Sequence, residues 1–292
     1  MMAASMADGV TVLSNVAKEP EVVDLARFLN DSGACVRGAG SDKILIQGKY
    51  KLHGSEFSAS PDRIEAGTFM LAAAITRSRI SLSPVIPSHL SCLIDKLTTA
   101  GCKIMQCNPD TLEVSAIPEN VHENLRGFDV KTSPFPGFPT DFQPQTMALL
   151  TTCSGSSILE ESVFEKRMGH ARELQKLGAK IRVCGSTALV FGRENGRYTI
   201  FRHGILDVYI FLNLDLMVLI PLNSFGSALH GSQVSAADLR GGVSLVLAGL
   251  AADGTTEISG IAHIDRGYEN IEAKLQLLGA DIKRSIAMAY LL

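Results

Sequence analysis

The sequence predicts an α/β (α+β) protein made by repeating one supersecondary unit, and three observations predict it. Four stretches share a pattern of small-residue apolar helix, tight turn, strand, second helix, and a glycine that opens another strand. Each second helix runs into a stop: Ser32-Gly33-Ala34, Ala100-Gly101-Cys102, Leu177-Gly178-Ala179 and Leu278-Gly279-Ala280. The residues after such a stop alternate, as in Lys180-Ile181-Arg182-Val183, which is the period of a half-buried strand. Self-similarity at a recurring interval marks one folding unit used several times.

In the first unit, Met1 to Gly9 reads as helix and turn, Val10-Thr11-Val12-Leu13 as strand, and Asp24-Leu25-Ala26-Arg27-Phe28-Leu29 as second helix. It begins at Met1 without a leading strand, as if the chain opened within a repeat. The second unit runs from Thr68 through Leu71-Ala72-Ala73-Ala74 to Gly101, and the third from Met147-Ala148-Leu149-Leu150 to Gly178. The fourth runs from Leu245-Val246-Leu247-Ala248 to Gly279. Glycine is expected at each stop because a left-handed residue ends the helix there, and glycine has no Cβ to oppose it.

The stop glycines are 68, 77 and 101 residues apart, so the last interval is long by roughly 30 residues. The excess falls at about 193–225, a stretch rich in Ile, Leu, Phe and Tyr with no helical or strand period. Two readings stand: a structural insert such as an extra hairpin, or translated intronic sequence. If intronic, the stretch is expected to form a poorly ordered loop and an aggregation liability.

The 292 residues suffice for two domains or one large one. A content of 46% hydrophobic and 20% charged residues, with 26 Gly and no Trp, fits an ordinary soluble globular protein. A net charge of -3 without a block of like charges argues against nucleic acid as main partner. The six cysteines lack CxxC spacing, so no zinc site is expected; reduced, mostly buried thiols are. No signal peptide is read at the N-terminus. The most apolar run, Val208 to Leu222, is broken by Asn213, Asp215 and Pro221, so no membrane partner is expected.

Arg240, in Asp238-Leu239-Arg240, and Arg266, in His263-Ile264-Asp265-Arg266-Gly267-Tyr268-Glu269, each sit among acidic and small residues before or inside a helical pattern. A guanidinium fixed there is a fork-shaped clamp for a planar anion. The pair therefore points to a substrate rich in phosphate or carboxylate. The other reading makes both arginines exposed salt-bridge partners.

Further motifs follow one another: Glu19-Pro20-Glu21-Val22-Val23-Asp24-Leu25, Pro61-Asp62-Arg63-Ile64-Glu65-Ala66-Gly67-Thr68, Pro136-Gly137-Phe138-Pro139-Thr140-Asp141 and Val163-Phe164-Glu165-Lys166-Arg167. Together with Ala237-Asp238-Leu239-Arg240 and the His263 to Glu269 stretch, and in that order, they resemble the enolpyruvyl transferases. The resemblance reaches about Arg284, apart from the long interval, and favours the branch acting on a UDP-sugar over the shikimate branch. It implies domains built as inside-out α/β barrels of βαβαββ units, with the active site in the cleft between two of them. Residues 1–60 match the end of one domain and 61–292 a near-complete second.

The activity implied is transfer of the enolpyruvyl group of phosphoenolpyruvate to the 3-hydroxyl of UDP-N-acetylglucosamine, the first committed step of peptidoglycan synthesis. No metal or organic cofactor is implied. Asp141 matches the carboxylate that bonds the sugar hydroxyl and is the candidate base; an N-cap of the following helix is the other reading, and both can hold. Val163 and Phe164 match positions lining the sugar-nucleotide site, against simple core packing. Arg266 matches a phosphoenolpyruvate-binding arginine, and Arg167 and Arg240 match cleft arginines near the same anion. Glu19, Glu21, Asp62, Glu65 and Asp238 fall at cleft or hinge positions, where structural networks are the favoured role for the first four. Lys166 departs from the family's usual Asn, and Met168-Gly169 from its bulky pair.

The family's cysteine loop and most of its UDP contacts match nothing from Met1 onward. The chain is therefore expected to be an N-terminally truncated piece, inactive alone, or else a non-catalytic fragment or paralogue that binds a UDP-sugar or a partner chain. Loss of one leading strand from the second domain is expected to bare a sheet edge and lower solubility. The expected compartment is the cytoplasm in a bacterium or a plastid in a eukaryote.

Overall fold

A computed structural model of the chain describes residues 1–48, 51–118, 124–193, 209–211 and 229–284. The first unit comprises α1 (Met2–Ser5), β1 (Val10–Ser14), α2 (Pro20–Asp31), β2 (Cys35–Arg37) and β3 (Lys43–Gln47). The second comprises α3 (Arg63–Ile75), β4 (Arg79–Ser83), α4 (Ser91–Ala100), β5 (Lys103–Asn108) and β6 (Thr111–Ser115). In the third are β7 (Val130–Lys131), α5 (Gln143–Leu150), β8 (Ser156–Glu160), α6 (His170–Lys176), β9 (Lys180–Cys184) and β10 (Thr187–Phe191). After β11 (Tyr209–Phe211), the fourth holds β12 (Gln233–Ser235), α7 (Leu239–Ala251), β13 (Glu257–Ser259), α8 (Ala262–Asp265) and α9 (Ile271–Leu277).

The repeat is visible in the strand order. The first three units each build an antiparallel sheet in which the last strand lies between the other two: β1-β3-β2, β4-β6-β5 and β8-β10-β9. Leading strands β7 and β12 add in parallel to β8 and β13. The stops behave as the sequence predicts, with φ of 94° at Gly33, 111° at Gly101, 93° at Gly178 and 87° at Gly279.

The expected bare sheet edge is a point of difference. On β4 that edge pairs in parallel with β11, Tyr209 to Phe211 facing Ser81 to Ser83. The long interval thus supplies the strand that β7 supplies in the next sheet. The rest of that interval beyond Arg193, where the expected loop falls, lies outside the described residues.

Two separate hydrophobic clusters form. Ala26, Leu29, Val36, Ile44 and Ile46 seal α2 onto the first sheet. The larger cluster runs from Ile64 to Ala280 and centres on α3, α5 and α7, which pack on one another. All of α5 is buried, and all of α3 except Glu65. Sheet strands cover these buried helices: β4 and β6 over α3, β8 and β10 over α5. Thr68 of α3 and Gln145 of α5 meet at the buried Tyr268 hydroxyl, at 2.8 and 3.2 Å.

No helix among the described residues is long and apolar enough to cross a membrane. The six cysteines are free thiols, but only Cys102 and Cys153 are buried. Cys107 ends an outer strand and Cys184 sits at the β9–β10 turn, so both are exposed. The expectation of mostly buried thiols is corrected accordingly.

Gly67 sets the approach of α3 to the turn before α5. A Cβ there would come within 2.3 Å of the Phe142 ring, whose side chain is fully buried. Gly67→Ala would gain about 1 kcal/mol of helix propensity, but overpacking a tight core costs about 1–3 kcal/mol. At 2.3 Å the clash dominates. The expected result is a lower urea midpoint with an unchanged slope; a raised midpoint would show that Phe142 is not clamped there.

Candidate functional site

The packing of Phe142 fixes the residue before it. Thr140 to Phe142 form a single 3-10 turn that leads into α5, leaving Asp141 at the edge of the core with its carboxylate between two arginines. Arg167 Nη1 donates to Asp141 Oδ1 at 2.9 Å and to Thr140 Oγ1 at 2.9 Å. Arg240 Nη2 donates to Asp141 Oδ2 at 3.2 Å. No side chain caps this turn or α5, so the N-cap reading of Asp141 is corrected. Both carboxylate oxygens instead take charged donors, which bind more strongly than a neutral amide.

Arg240 is held rigidly. Asp238 caps α7, accepting from Gly241 N at 2.8 Å, so this predicted cleft residue serves the helix that carries the arginine. The Arg240 guanidinium lies 5.3 Å from the Tyr268 ring centre. Burial pulls its pKa down, but Tyr268 and Asp141 outweigh burial, and the net shift is upward. The side chain is only 13% exposed, which rules out an exposed salt bridge for this arginine. Its Nη1 is buried and has no hydrogen-bond partner among the described residues. Arg266 is exposed and has no hydrogen-bond or ion-pair partner among the described residues. The neighbouring Gly267 packs on Leu239, the residue before Arg240. The structure therefore brings Asp141, Arg167 and Arg240 together, and Arg266 contacts none of them.

Val163 and Phe164 are 39% and 53% exposed, so the core-packing alternative is corrected. The reason is the chain turn after β8: both backbone N–H groups point back to the buried Glu161 Oε1, at 2.9 and 3.1 Å, and the side chains turn outward. The Phe164 ring carries Arg167 at 5.1 Å. Together with Lys166, Arg172, Val183 and Ser186 they line an open groove of about 1070 Å³. On the edge strand β9 Ile181 is buried, but Val183 is exposed and faces this groove.

The remaining acidic positions act as ties. Asp62 caps α3 through the amides of Ile64 and Glu65, at 2.7 and 3.0 Å. Glu21 on α2 bridges to Arg63 Nε on α3 at 2.8 Å. Phe135 N donates to Glu19 Oε1 at 3.4 Å, and Lys274 pairs with Glu65 at 2.5 Å. None of these four touches the Asp141 cluster. Among the described residues no group of three His, Cys, Asp or Glu could hold a metal ion.

Sequence reasoning did not single out Thr140, Glu161, His170 or Tyr268. His170 starts α6 and is buried against Gly241 at the start of α7. Burial pushes its pKa down to about 4, opposed by Asp238, so it is neutral at pH 7. An unfolded chain binds that proton near 6.5. The stability this contributes is therefore complete above about pH 6.5 and is lost as pH falls towards about 4, roughly 3 kcal/mol in all. Urea unfolding at pH 7.5, 6 and 5 is expected to show this loss, and a flatter profile in His170→Asn. Equal slopes in both proteins would remove His170 as the cause.

The family model described as EPSP synthase (3-phosphoshikimate 1-carboxyvinyltransferase) matches residues 1–275. The UDP-N-acetylglucosamine 1-carboxyvinyltransferase of Gloeobacter violaceus is 47% identical over 289 residues, covering 99% of this chain and 55% of its own length. The protein of the same name from Nostoc sp. is 48% identical, with coverage of 97% and 55%. That from Finegoldia magna is 45% identical, with coverage of 97% and 58%. The chain thus spans about half the length of the curated relatives it matches. Among solved structures, the enolpyruvyl transferase NikO from Streptomyces tendae superposes with a TM-score of 0.75 at 24% identity, covering 96% of this chain and 58% of that one. An EPSP synthase from Acinetobacter baumannii gives 0.66 at 17%, covering 98% and 60%. These two share the mixed helix-and-sheet fold. With the match over residues 1–275 and the identities above, the chain belongs to the EPSP synthase family of enolpyruvyl transferases.

Proposed function

We propose that this chain supplies the anion-binding and sugar-nucleotide-binding face of an enzyme that transfers the enolpyruvyl group of phosphoenolpyruvate to the 3-hydroxyl of UDP-N-acetylglucosamine, the first committed step of peptidoglycan synthesis in a bacterial cytoplasm. The observation that carries this reading is the Asp141 carboxylate held between Arg167 and Arg240 at 2.9 and 3.2 Å. The curated relatives bearing that activity in their names support the choice of acceptor.

The chemistry follows from the groups. The acceptor hydroxyl attacks the enol carbon and passes its proton to Asp141 while the methylene carbon is protonated to a methyl group. In the elimination that methyl group gives up a proton, the carbon–oxygen bond to phosphate breaks, and phosphate leaves as the double bond re-forms. Asp141 accepts that proton only if the hydroxyl lies within hydrogen-bond reach. Arg167 and Arg240 then face the phosphate and carboxylate of phosphoenolpyruvate, with Arg240 Nη1 as an unused buried donor. Such preoriented donors stabilise charge that builds up in the adduct. Arg266, which is exposed, adds attraction for the anion. Val163 and Phe164 offer apolar area to the sugar nucleotide. Residues 1–60 and 61–292 belong to two different domains in this reading, and the two separate hydrophobic clusters support that division. The central helices wrapped by sheets support an inside-out barrel for the larger one.

Calorimetry on the purified chain tests the binding without requiring turnover. Arg240→Lys is expected to weaken phosphoenolpyruvate by on the order of tenfold or more, because an ammonium cannot replace the fork. Asp141→Asn is expected to weaken UDP-N-acetylglucosamine yet tighten phosphoenolpyruvate, since it frees both guanidiniums of a competing carboxylate. A wild-type chain that binds neither ligand at millimolar concentration would end this reading.

A further inference from the structure

We infer that Glu161 is a positioning residue that holds the sugar-nucleotide groove and the Asp141–arginine cluster in one frame; the inference rests on the phosphoenolpyruvate and UDP-sugar reading of those two features. Glu161 follows β8 and is 2% exposed. Its Oε1 accepts from Val163 N at 2.9 Å, Phe164 N at 3.1 Å and Thr132 Oγ1 at 2.8 Å. Its Oε2 accepts from Thr140 Oγ1 at 2.8 Å. Thr140 Oγ1 in turn accepts from Arg167 Nη1 at 2.9 Å, the same nitrogen that holds Asp141. One buried carboxylate therefore sets the backbone that turns Val163 and Phe164 outward, and also the hydroxyl that orients Arg167. Thr132, beside β7, braces it from the sheet: its Oγ1 accepts from Ser162 N at 2.8 Å, and its carbonyl accepts from the Ser162 hydroxyl.

The chemistry of this node demands a carboxylate. Such a group offers about four acceptor sites and no donor, and four donors converge here. Glutamine has the same shape but one oxygen. With that oxygen on the Val163 and Phe164 amides, its NH2 faces Thr140. The Thr140 hydroxyl must then accept from both the amide and Arg167, and its own proton loses its acceptor. The opposite orientation sets NH2 against two backbone N–H groups. Either way the frame is broken in a defined place. The hydrogen bonds that Glu161 accepts all come from groups of this chain, so the role assigned to it is one of geometry.

The test uses the intact chain, with Glu161→Gln and Thr140→Val. NMR reports the Val163 and Phe164 amide protons, which a buried carboxylate holds downfield and protected from exchange, and the Arg167 guanidinium protons. E161Q is expected to move all three and to weaken both UDP-N-acetylglucosamine and phosphoenolpyruvate by on the order of tenfold. T140V is expected to move Arg167, leave the two amides in place and weaken phosphoenolpyruvate alone, a split that a general loss of stability would not give. If E161Q does not fold, T140V decides by the same readouts. Arg167 signals that stay fixed in the folded variants would overturn the inference. A wild-type chain that binds neither ligand, while the variants move these signals as stated, would uphold the frame and remove the ligand reading instead.

Discussion

The mutual burial of α3, α5 and α7 is the constraint on which the rest depends. These helices bury nearly all of their side chains, so each needs the other two and the sheets around them. Their packing leaves little freedom: Gly67 has room for Phe142 and nothing larger than a hydrogen. Buried Thr68, Gln145 and Tyr268 are joined by hydrogen bonds, which fix the relative depth of the helices. The N-terminal ends of α5 and α7 consequently emerge side by side, and Asp141 and Arg240 meet there.

That meeting point has an electrostatic cost. A partly buried guanidinium must be compensated, and Arg240 is compensated by Asp141 and by the Tyr268 ring. The compensation is incomplete, because Nη1 has no hydrogen-bond partner among the described residues. A core built only for stability would satisfy that donor or replace the arginine with an apolar side chain. Glu161 shows the opposite case, a buried carboxylate with both oxygens engaged. The two together describe a rigid support beneath an incompletely satisfied surface, the arrangement that the proposed anion site calls for.

The repeats and the site obey different logics. The first three units use the same helix, strand, helix and hairpin, yet the cluster draws on residues from different units. Asp141 and Arg167 come from the third and Arg240 from the fourth, while Tyr268 reaches back to the second through Thr68. The acidic residues between the first and second units serve as ties: Glu21 to Arg63 joins helices belonging to separate hydrophobic clusters.

The sequence by itself determined the repeat, its helices and strands, and the left-handed glycine at each stop. These follow from backbone sterics and side-chain period acting within a few residues. The family motifs also brought Asp141, Arg167 and Arg240 onto one list. Only the tertiary structure decided how they meet, because Arg167 and Arg240 lie 26 and 99 residues from the carboxylate they share. It turned Asp141 from a possible helix cap into the centre of an ion-pair cluster. It exposed Val163 and Phe164, whose composition alone reads as core, because the Glu161 carboxylate captures their backbone. It also gave the β4 edge a partner from the segment that fits no repeat, since strand pairing uses backbone groups that any sequence carries.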